Sequence, residues 1–414
     1  MNTNQLSKSL VYSLACLMAL APFAIDTYLP SLPDIAKEFS AELHQVEASV
    51  AIYMLGYAIG QLFGGPLSDQ MGRRLTAVLG CSLFMISSLL LAVSDSIDQL
   101  LLFRLIQAVG GGTATVVAAA TVRDRFRGRE AARVMSLIGM IMMGAPLIAP
   151  AVGAGILHFS GWRMIFVALA IYGGIAMTVS LLNLPSVTGR QKASASDQAP
   201  ADKSKRGLKA ALAGYTAVLK NGPARGYILT VGLAFSTMFI FLTESSFIYI
   251  VHFEVSPNHF PLLFGANIIV MMLFNRLNMR LLDRYSPHQL LRAGVSLQLT
   301  CAILLALSVQ SGIINLPLAV GLIMLTIGSL GMVFANGVSC YLEFFPNNAG
   351  TANAVMGCSQ NIIAATAGSS ATLLHDGTLA PVTLLMAATA LGAVSAIHLL
   401  TRPAVRTCQP KSEA

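Results

Sequence analysis

Twelve apolar stretches of about twenty residues run through this chain, at roughly 10–32, 47–67, 75–94, 100–122, 134–157, 163–184, 226–252, 260–282, 289–310, 314–338, 350–373 and 380–401. A hydrocarbon layer about 30 Å thick is crossed by about twenty residues of α-helix rising 1.5 Å each. The spacing predicts an all-α polytopic membrane protein with twelve transmembrane helices. An even count returns both termini to one side. Composition agrees, with 55% hydrophobic and 11% charged residues, where a soluble domain carries about twice that charged share. The first stretch is read as helix 1 and not as a signal peptide: a single Lys8 precedes it, no small-x-small cleavage site follows, and its apolar run outlasts signal length.

Charge sets the orientation. With the N-terminus in the cytoplasm, all but Lys37, Arg104 and Arg163 of the 26 Lys and Arg fall in cytoplasmic loops and tails, as the positive-inside bias requires. The net charge of +8 then reflects topology, and no nucleic-acid partner is expected. Both termini are placed in the cytoplasm and the lipid bilayer is the surrounding medium.

Residues 185–225 divide the chain into an N-terminal six-helix half (1–184) and a C-terminal six-helix half with a short tail (226–414). Ser186 to Arg206 is too polar and too simple in composition to pack. Leu208, Leu212, Tyr215 and Leu219 recur at helical spacing and predict a short amphipathic helix on the inner leaflet. Six helices, a linker and six helices suit two parallel repeats about an axis along the membrane normal; an interrupted chain without a repeat relation is the alternative.

Enzymatic chemistry finds little support. The six cysteines are scattered without a C-x-x-C pair, and no H-E-x-x-H, P-loop or G-x-S-x-G segment is present. No cofactor or metal is expected, and an ATP-driven pump or an intramembrane hydrolase would lack its working parts. Attention passes to ionisable residues inside the spans, each costing about 2.5–3.5 kcal/mol on insertion scales and therefore suspected of a function. Asp26 in helix 1, Arg104 in helix 4 and Glu244 in helix 7 qualify. Counting from helix ends near Leu32, Leu100 and His252 at 1.5 Å per residue puts them about 9, 6 and 12 Å below the external surface. Glu244 has a second reading, as a solvated side chain at the external interface.

Two runs have a composition suited to helices that meet closely and slide. Gly65-Pro66-Leu67-Ser68-Asp69-Gln70-Met71-Gly72-Arg73-Arg74 gives a small residue at a helix end, a carboxylate, a Gly for a tight reversal and two cations. Gly144-Ala145-Pro146-Leu147-Ile148-Ala149-Pro150-Ala151-Val152-Gly153-Ala154-Gly155 removes steric bulk with Gly and backbone hydrogen bonds with Pro.

The first run resembles the G-x-L-x-D-x-x-G-R-[RK] signature of the major facilitator superfamily. Asp26-Thr27-Tyr28-Leu29-Pro30-Ser31-Leu32-Pro33 is similar to the D-x-Y-L-P-x-x-P signature of its Bcr/CflA group of drug:proton antiporters. Arg104-Leu105-Ile106-Gln107 resembles the superfamily's R-x-x-Q-G proton-relay motif, with Ala108 in place of Gly. The second run resembles the antiporter motif, followed by Gly161-Trp162-Arg163 and Phe166 as in that group. Glu244, in Thr243-Glu244-Ser245-Ser246-Phe247, departs from the small neutral residues usual there.

The resemblance implies two pseudo-symmetric six-helix halves with helices 1, 4, 7 and 10 lining a central cavity. Proton and substrate binding then falls to Asp26, Tyr28, Arg104 and Gln107, and Glu244 joins them on a different ground: aligning the helix 1 and helix 7 exits at Ser40 and Ser256 brings it within two residues of the equivalent of Asp26. Gly65, Asp69, Gly72, Arg73, Arg74 and Asp124 form a cytoplasmic gate, Arg73 pairing with Asp124 and Asp69 facing Gly350-Thr351. Gly144, Pro146, Pro150 and Gly153 mark the antiporter helix. The implied activity is proton-coupled multidrug efflux by alternating access, carried out by a monomer in the bacterial inner membrane, driven by the proton gradient and acting on small amphipathic or cationic compounds. Export of one endogenous metabolite, an amino acid or a sugar, is the alternative within transport; a polytopic membrane enzyme is the alternative outside it.

Overall fold

Uninterrupted apolar runs with caps at their ends leave the backbone one way to satisfy its polar groups away from water, and the chain is helical accordingly. The structure, a computed structural model, describes residues 3–126, 128–184, 216, 218, 220–345 and 349–401. In chain order the helices are α1 (Thr3–Asp26), α2 (Leu32–Glu38), α3 (Leu43–Met71), α4 (Arg73–Ala92), α5 (Ile97–Arg125), α6 (Gly128–Ser160), α7 (Arg163–Asn183), α8 (Gly222–Ser246), α9 (Phe260–Leu281), α10 (Pro287–Gln310), α11 (Leu316–Gly328), α12 (Leu330–Leu342), α13 (Ala349–Leu374) and α14 (Ala380–Leu399). Among the described residues these make twelve spans, because α1 with α2 and α11 with α12 each form one broken span. Ten of the twelve are long and apolar enough to cross a membrane by length and composition; α6 and α13 complete the set. The predicted linker and its amphipathic helix at Leu208, Leu212, Tyr215 and Leu219 lie outside the described residues.

Local chemistry fixes the ends. Ser286 and Gln289 form a reciprocal capping box at the start of α10, and Glu42 with Gln45 does the same for α3. Ser96, Asn221 and Asn315 accept backbone N–H groups at the starts of α5, α8 and α11. Gly72, with φ 90° and ψ 154°, separates α3 from α4 in a conformation that a side chain would disfavour.

The chain divides into two units, one of Met1–Ala210 with Ser256–Pro261 and one of Ala211–Val255 with Leu262–Ala414. In the first, α5 is the hub against which α3 and α4 pack. A β-carbon on Gly56 would come within 2.5 Å of the Leu105 carbonyl and 2.9 Å of the Ala108 methyl, so the two helices touch through small residues. Ala108, where the relay motif has Gly, is thus accommodated by Gly56 across the contact. In the second unit α8 is the hub, packed against α13 and α14, with Val231, Ala234, Leu291, Val295, Val333, Tyr341 and Ala393 in its core. Leu83, Ile86, Leu89 and Leu90 of α4 and Leu273 and Leu277 of α9 are exposed, the placement a lipid-facing surface requires.

Candidate functional site

The Asp26 motif is a helix break. Helix 1 was expected to continue to about Leu32, but α1 stops at Asp26, Leu29–Ser31 form one 3-10 turn, and α2 resumes at Leu32. Pro30 and Pro33 offer no backbone N–H to the preceding turns, and the carbonyls freed at the end of α1 need other donors. Arg104 of α5 supplies one, its Nη1 donating to the Ala24 carbonyl at 3.1 Å.

Arg104 is fully buried and forms the centre of a polar chain. Its Nη1 also donates to Gln107 Oε1 at 2.7 Å, Gln107 Nε2 donates to Ser88 Oγ at 2.7 Å, and the Ser88 hydroxyl donates to the Phe84 carbonyl at 2.6 Å. The guanidinium carbon lies 4.2 Å from the centre of the Tyr28 ring and 4.5 Å from that of Tyr53. Each such stack is worth about 2 kcal/mol when desolvated. The Tyr28 hydroxyl meets Ser49 Oγ at 2.8 Å. Arg104 Nε and Nη2 have no hydrogen-bond partner among the described residues.

Asp26 is 4% exposed, and no ion pair or hydrogen bond joins its side chain to the described residues. The guanidinium of Arg104 is committed to the α1 carbonyl, Gln107 and the two tyrosines. The structure therefore brings Tyr28, Arg104 and Gln107 into one cluster and leaves the Asp26 carboxylate free at the break beside it in sequence.

The antiporter helix explains how the break is held. Gly153 of α6 lies directly against the Thr27 carbonyl, where a β-carbon would overlap the oxygen. Gly144 has open space around it; Pro146 is half-buried and Pro150 buried within the same helix. Gly153→Ala should accordingly push α6 off the Asp26–Tyr28 segment. Overpacking costs about 1–3 kcal/mol, and the expected result is protein that reaches the membrane but transports about tenfold more slowly. Gly144→Ala serves as the control and should be silent.

At the other charged run, one guanidinium ties three helices. Arg73, first residue of α4, pairs with Asp69 of α3 through Nη1 at 2.8 Å and with Asp124 of α5 through Nε at 3.0 Å, and Nη1 donates to the Ser68 hydroxyl at 2.7 Å. Gly72 makes the turn that aims it. Gly65 has its nearest foreign atom, a Val116 methyl, 3.6 Å from a β-carbon position. Arg74 is half-buried next to this cluster and has no ion pair among the described residues. The side chains of Gly350-Thr351, expected opposite Asp69, lie outside the described set.

In the second unit Glu244 is fully buried, which rules out the solvated reading. Its Oε2 is 3.2 Å from Nδ1 of His375. Sequence reasoning missed His375, and it missed Tyr53, Ser49, Ser88 and the buried Glu47. It also missed the clasp in which Glu38 accepts from Trp162 Nε1 at 2.5 Å and pairs with Arg163, whose Nη2 donates to the Ser94 carbonyl at 2.9 Å. Pairs of Tyr or Ser four residues apart on apolar helices carry no distinctive signal until the facing arginine is known. Among the described residues no group of three His, Cys, Asp or Glu could hold a metal ion.

A family model described as the Major Facilitator Superfamily matches residues 14–368. The chain belongs to this superfamily. Among its relatives, a bicyclomycin resistance protein homolog of Haemophilus influenzae is 28% identical over 401 residues, 97% of this chain and 98% of that protein. A multidrug resistance protein, MdtL of Escherichia coli, is 35% identical over 179 residues, covering 43% of this chain and 46% of MdtL. The xylose transporter XylE of E. coli, in a partially occluded inward open conformation, superposes with a TM-score of 0.70 over 95% of this chain and 98% of that one at 16% identity. That last likeness bears on the fold: this is a multi-pass membrane protein with the twelve-helix architecture of the Major Facilitator Superfamily, a family of transporters.

Proposed function

We propose that this chain is a proton-coupled multidrug efflux transporter of the Bcr/CflA type, in a bacterial inner membrane with both termini in the cytoplasm. The observation that carries the reading is Asp26: a buried carboxylate without a charge partner among the described residues, at the end of a helix broken within its motif and braced by Arg104. The similarity to a bicyclomycin resistance protein homolog and to MdtL supports drugs as the cargo.

The chemistry follows from competition. A carboxylate without a fixed counterion is free to take either a proton or a cationic drug, and it cannot hold both charges at once. If it is open to each side of the membrane in turn, protons entering down their gradient displace drug to the outside. Tyr28, Arg104 and Gln107 hold the break in shape so that Asp26 stays presented through the cycle. Neutral drugs are carried when protonation resets the empty carrier.

The Arg73 cluster acts as the cytoplasmic gate, since it fixes the ends of α3, α4 and α5 relative to one another. Arg73→Ala removes three contacts at once. Turnover should fall about tenfold, equivalent to about 1.4 kcal/mol on the barrier, while drug affinity measured on purified protein stays within about twofold. Lost affinity with kept turnover would remove Arg73 from the gate.

The reading as a whole is tested in cells lacking their other pumps. Expression should raise the inhibitory concentrations of several chemically unrelated cationic and neutral antibiotics, and an uncoupler should erase the effect on intracellular accumulation. Export of one amino acid or sugar with no change in drug resistance would replace the reading.

A further inference from the structure

Glu244 occupies the last turn of α8, just before the π-helical turn Phe247–His252. It is 0% exposed, and its Oε1 has no hydrogen-bond partner among the described residues. Its Oε2 faces Nδ1 of His375, which directly follows the last residue of α13 and is 8% exposed. The edge of the Phe247 ring packs on the imidazole with centroids 4.4 Å apart. The carboxylate thus has one bare oxygen and one titratable neighbour in apolar surroundings, where an uncompensated charge is costly. The pair places two groups able to hold a proton 3.2 Å apart with no other described partner for Oε1.

We propose that Glu244 and His375 together form a proton-binding site in the C-terminal unit, holding one shared proton that is exchanged in each transport cycle. This rests on the proton-coupled reading above and gives it a second coupling site, separate from Asp26. His375 is itself 8% exposed, and the next residue, Asp376, is exposed. Hydrogen bonds from the Thr378 hydroxyl and amide hold the Asp376 carboxyl below its usual range, helped by the neighbouring His375. Asp376 thus remains an anion next to His375 in the chain, where it favours the approach of a proton.

The other titratable groups nearby are few. On the π-helical turn, the His252 ring lies 6.2 Å from that of Phe247 and Tyr249 is buried, and Glu254 is exposed on the loop beyond. Among the described residues, the helices packed on α8 bring no other charge to this end: α13 carries Cys358, α12 Cys340 and Tyr341, and α14 His398 in its last turn. Arg225 and Tyr227 lie in the first turns of α8, remote from Glu244. Among the described residues, no counter-charge besides His375 therefore competes for the Glu244 carboxylate.

The test uses the full-length protein in proteoliposomes with ethidium as the cationic probe, and compares wild type with Glu244→Gln, His375→Asn and the double variant. The number of protons exchanged per ethidium is read from the pH gradient that just balances an imposed ethidium gradient. Each single variant should lower that ratio by about one, and the double variant should match the singles, because members of one unit are not additive. Unchanged ratios in folded variants overturn the proposal while leaving proton coupling intact. A wild type with no proton dependence overturns the coupling reading itself.

A second measurement does not need transport. On a jump from about pH 8 to about pH 6, purified wild type should take up about one proton more per chain than either single variant, as read by an indicator dye. Equal uptake in wild type and Glu244→Gln, with a deficit confined to His375→Asn, would mean that the histidine acts without the carboxylate and would overturn the shared site.

Discussion

Asp26→Asn is expected to abolish uphill drug efflux while the protein still reaches the membrane at its normal level. Asparagine keeps the size of the side chain and its place at the end of α1, so the helix break and the packing of Gly153 on Thr27 survive. What is lost is the exchangeable proton. Since no hydrogen bond or ion pair ties Asp26 to the described residues, its replacement by a neutral side chain of the same size leaves no buried partner unsatisfied, and the variant should still fold and insert. Asp26→Glu retains the acid at a displaced position and should keep part of the activity. Resistance and accumulation in cells, normalised to the amount of protein in the membrane, check both outcomes. Uncoupler-sensitive efflux at the wild-type rate by the Asn variant would take Asp26 out of the mechanism.

Arg104→Lys should be nearly as severe for a different reason. Lysine preserves the charge but not the planar guanidinium that lies against Tyr28 and Tyr53 at 4.2 and 4.5 Å. A compact ammonium cannot reach the Ala24 carbonyl and Gln107 from the same position while covering both rings. Hydrogen bonds to a charged group are worth about 1.5–3 kcal/mol, and losing one at the α1 terminus frees the break to move. Transport is expected to fall about 10- to 100-fold with insertion retained. Arg104→Ala should go further and lower the yield of folded protein, because it strips the partner from Gln107 and opens a cavity between two buried tyrosines. Wild-type efflux by Arg104→Lys would show that the charge alone suffices.

The contrast between these two residues shows what the sequence could and could not tell. Hydropathy reached the twelve spans because each is a local property of about twenty residues. The motif at Gly72-Arg73 was equally legible, since its turn and its cations are adjacent. The break after Asp26 was not, although Pro30 and Pro33 were visible, because α1 ends at that residue through a donor that arrives from Arg104, some 80 positions away. The same limit hid His375, which lies 131 positions from Glu244 and reads in sequence as an ordinary histidine at a helix end. Ala108 replaces the Gly of the relay motif, and its accommodation lies across the interface in Gly56, which the sequence alone does not pair with it. Side chains that depend on a partner from another helix become meaningful when the helices are placed, and the functional cluster here is made almost wholly of such pairs.

The central claim is that this protein uses a proton gradient to move drugs through a cycle that depends on Asp26. The most direct measurement is ethidium transport by the purified protein in proteoliposomes with an imposed pH gradient and no other energy source. The account predicts ethidium accumulation against its concentration gradient, collapse of that accumulation on adding a protonophore, and its absence in Asp26→Asn. Equal ethidium movement with and without the pH gradient, or uphill accumulation by Asp26→Asn, would contradict it.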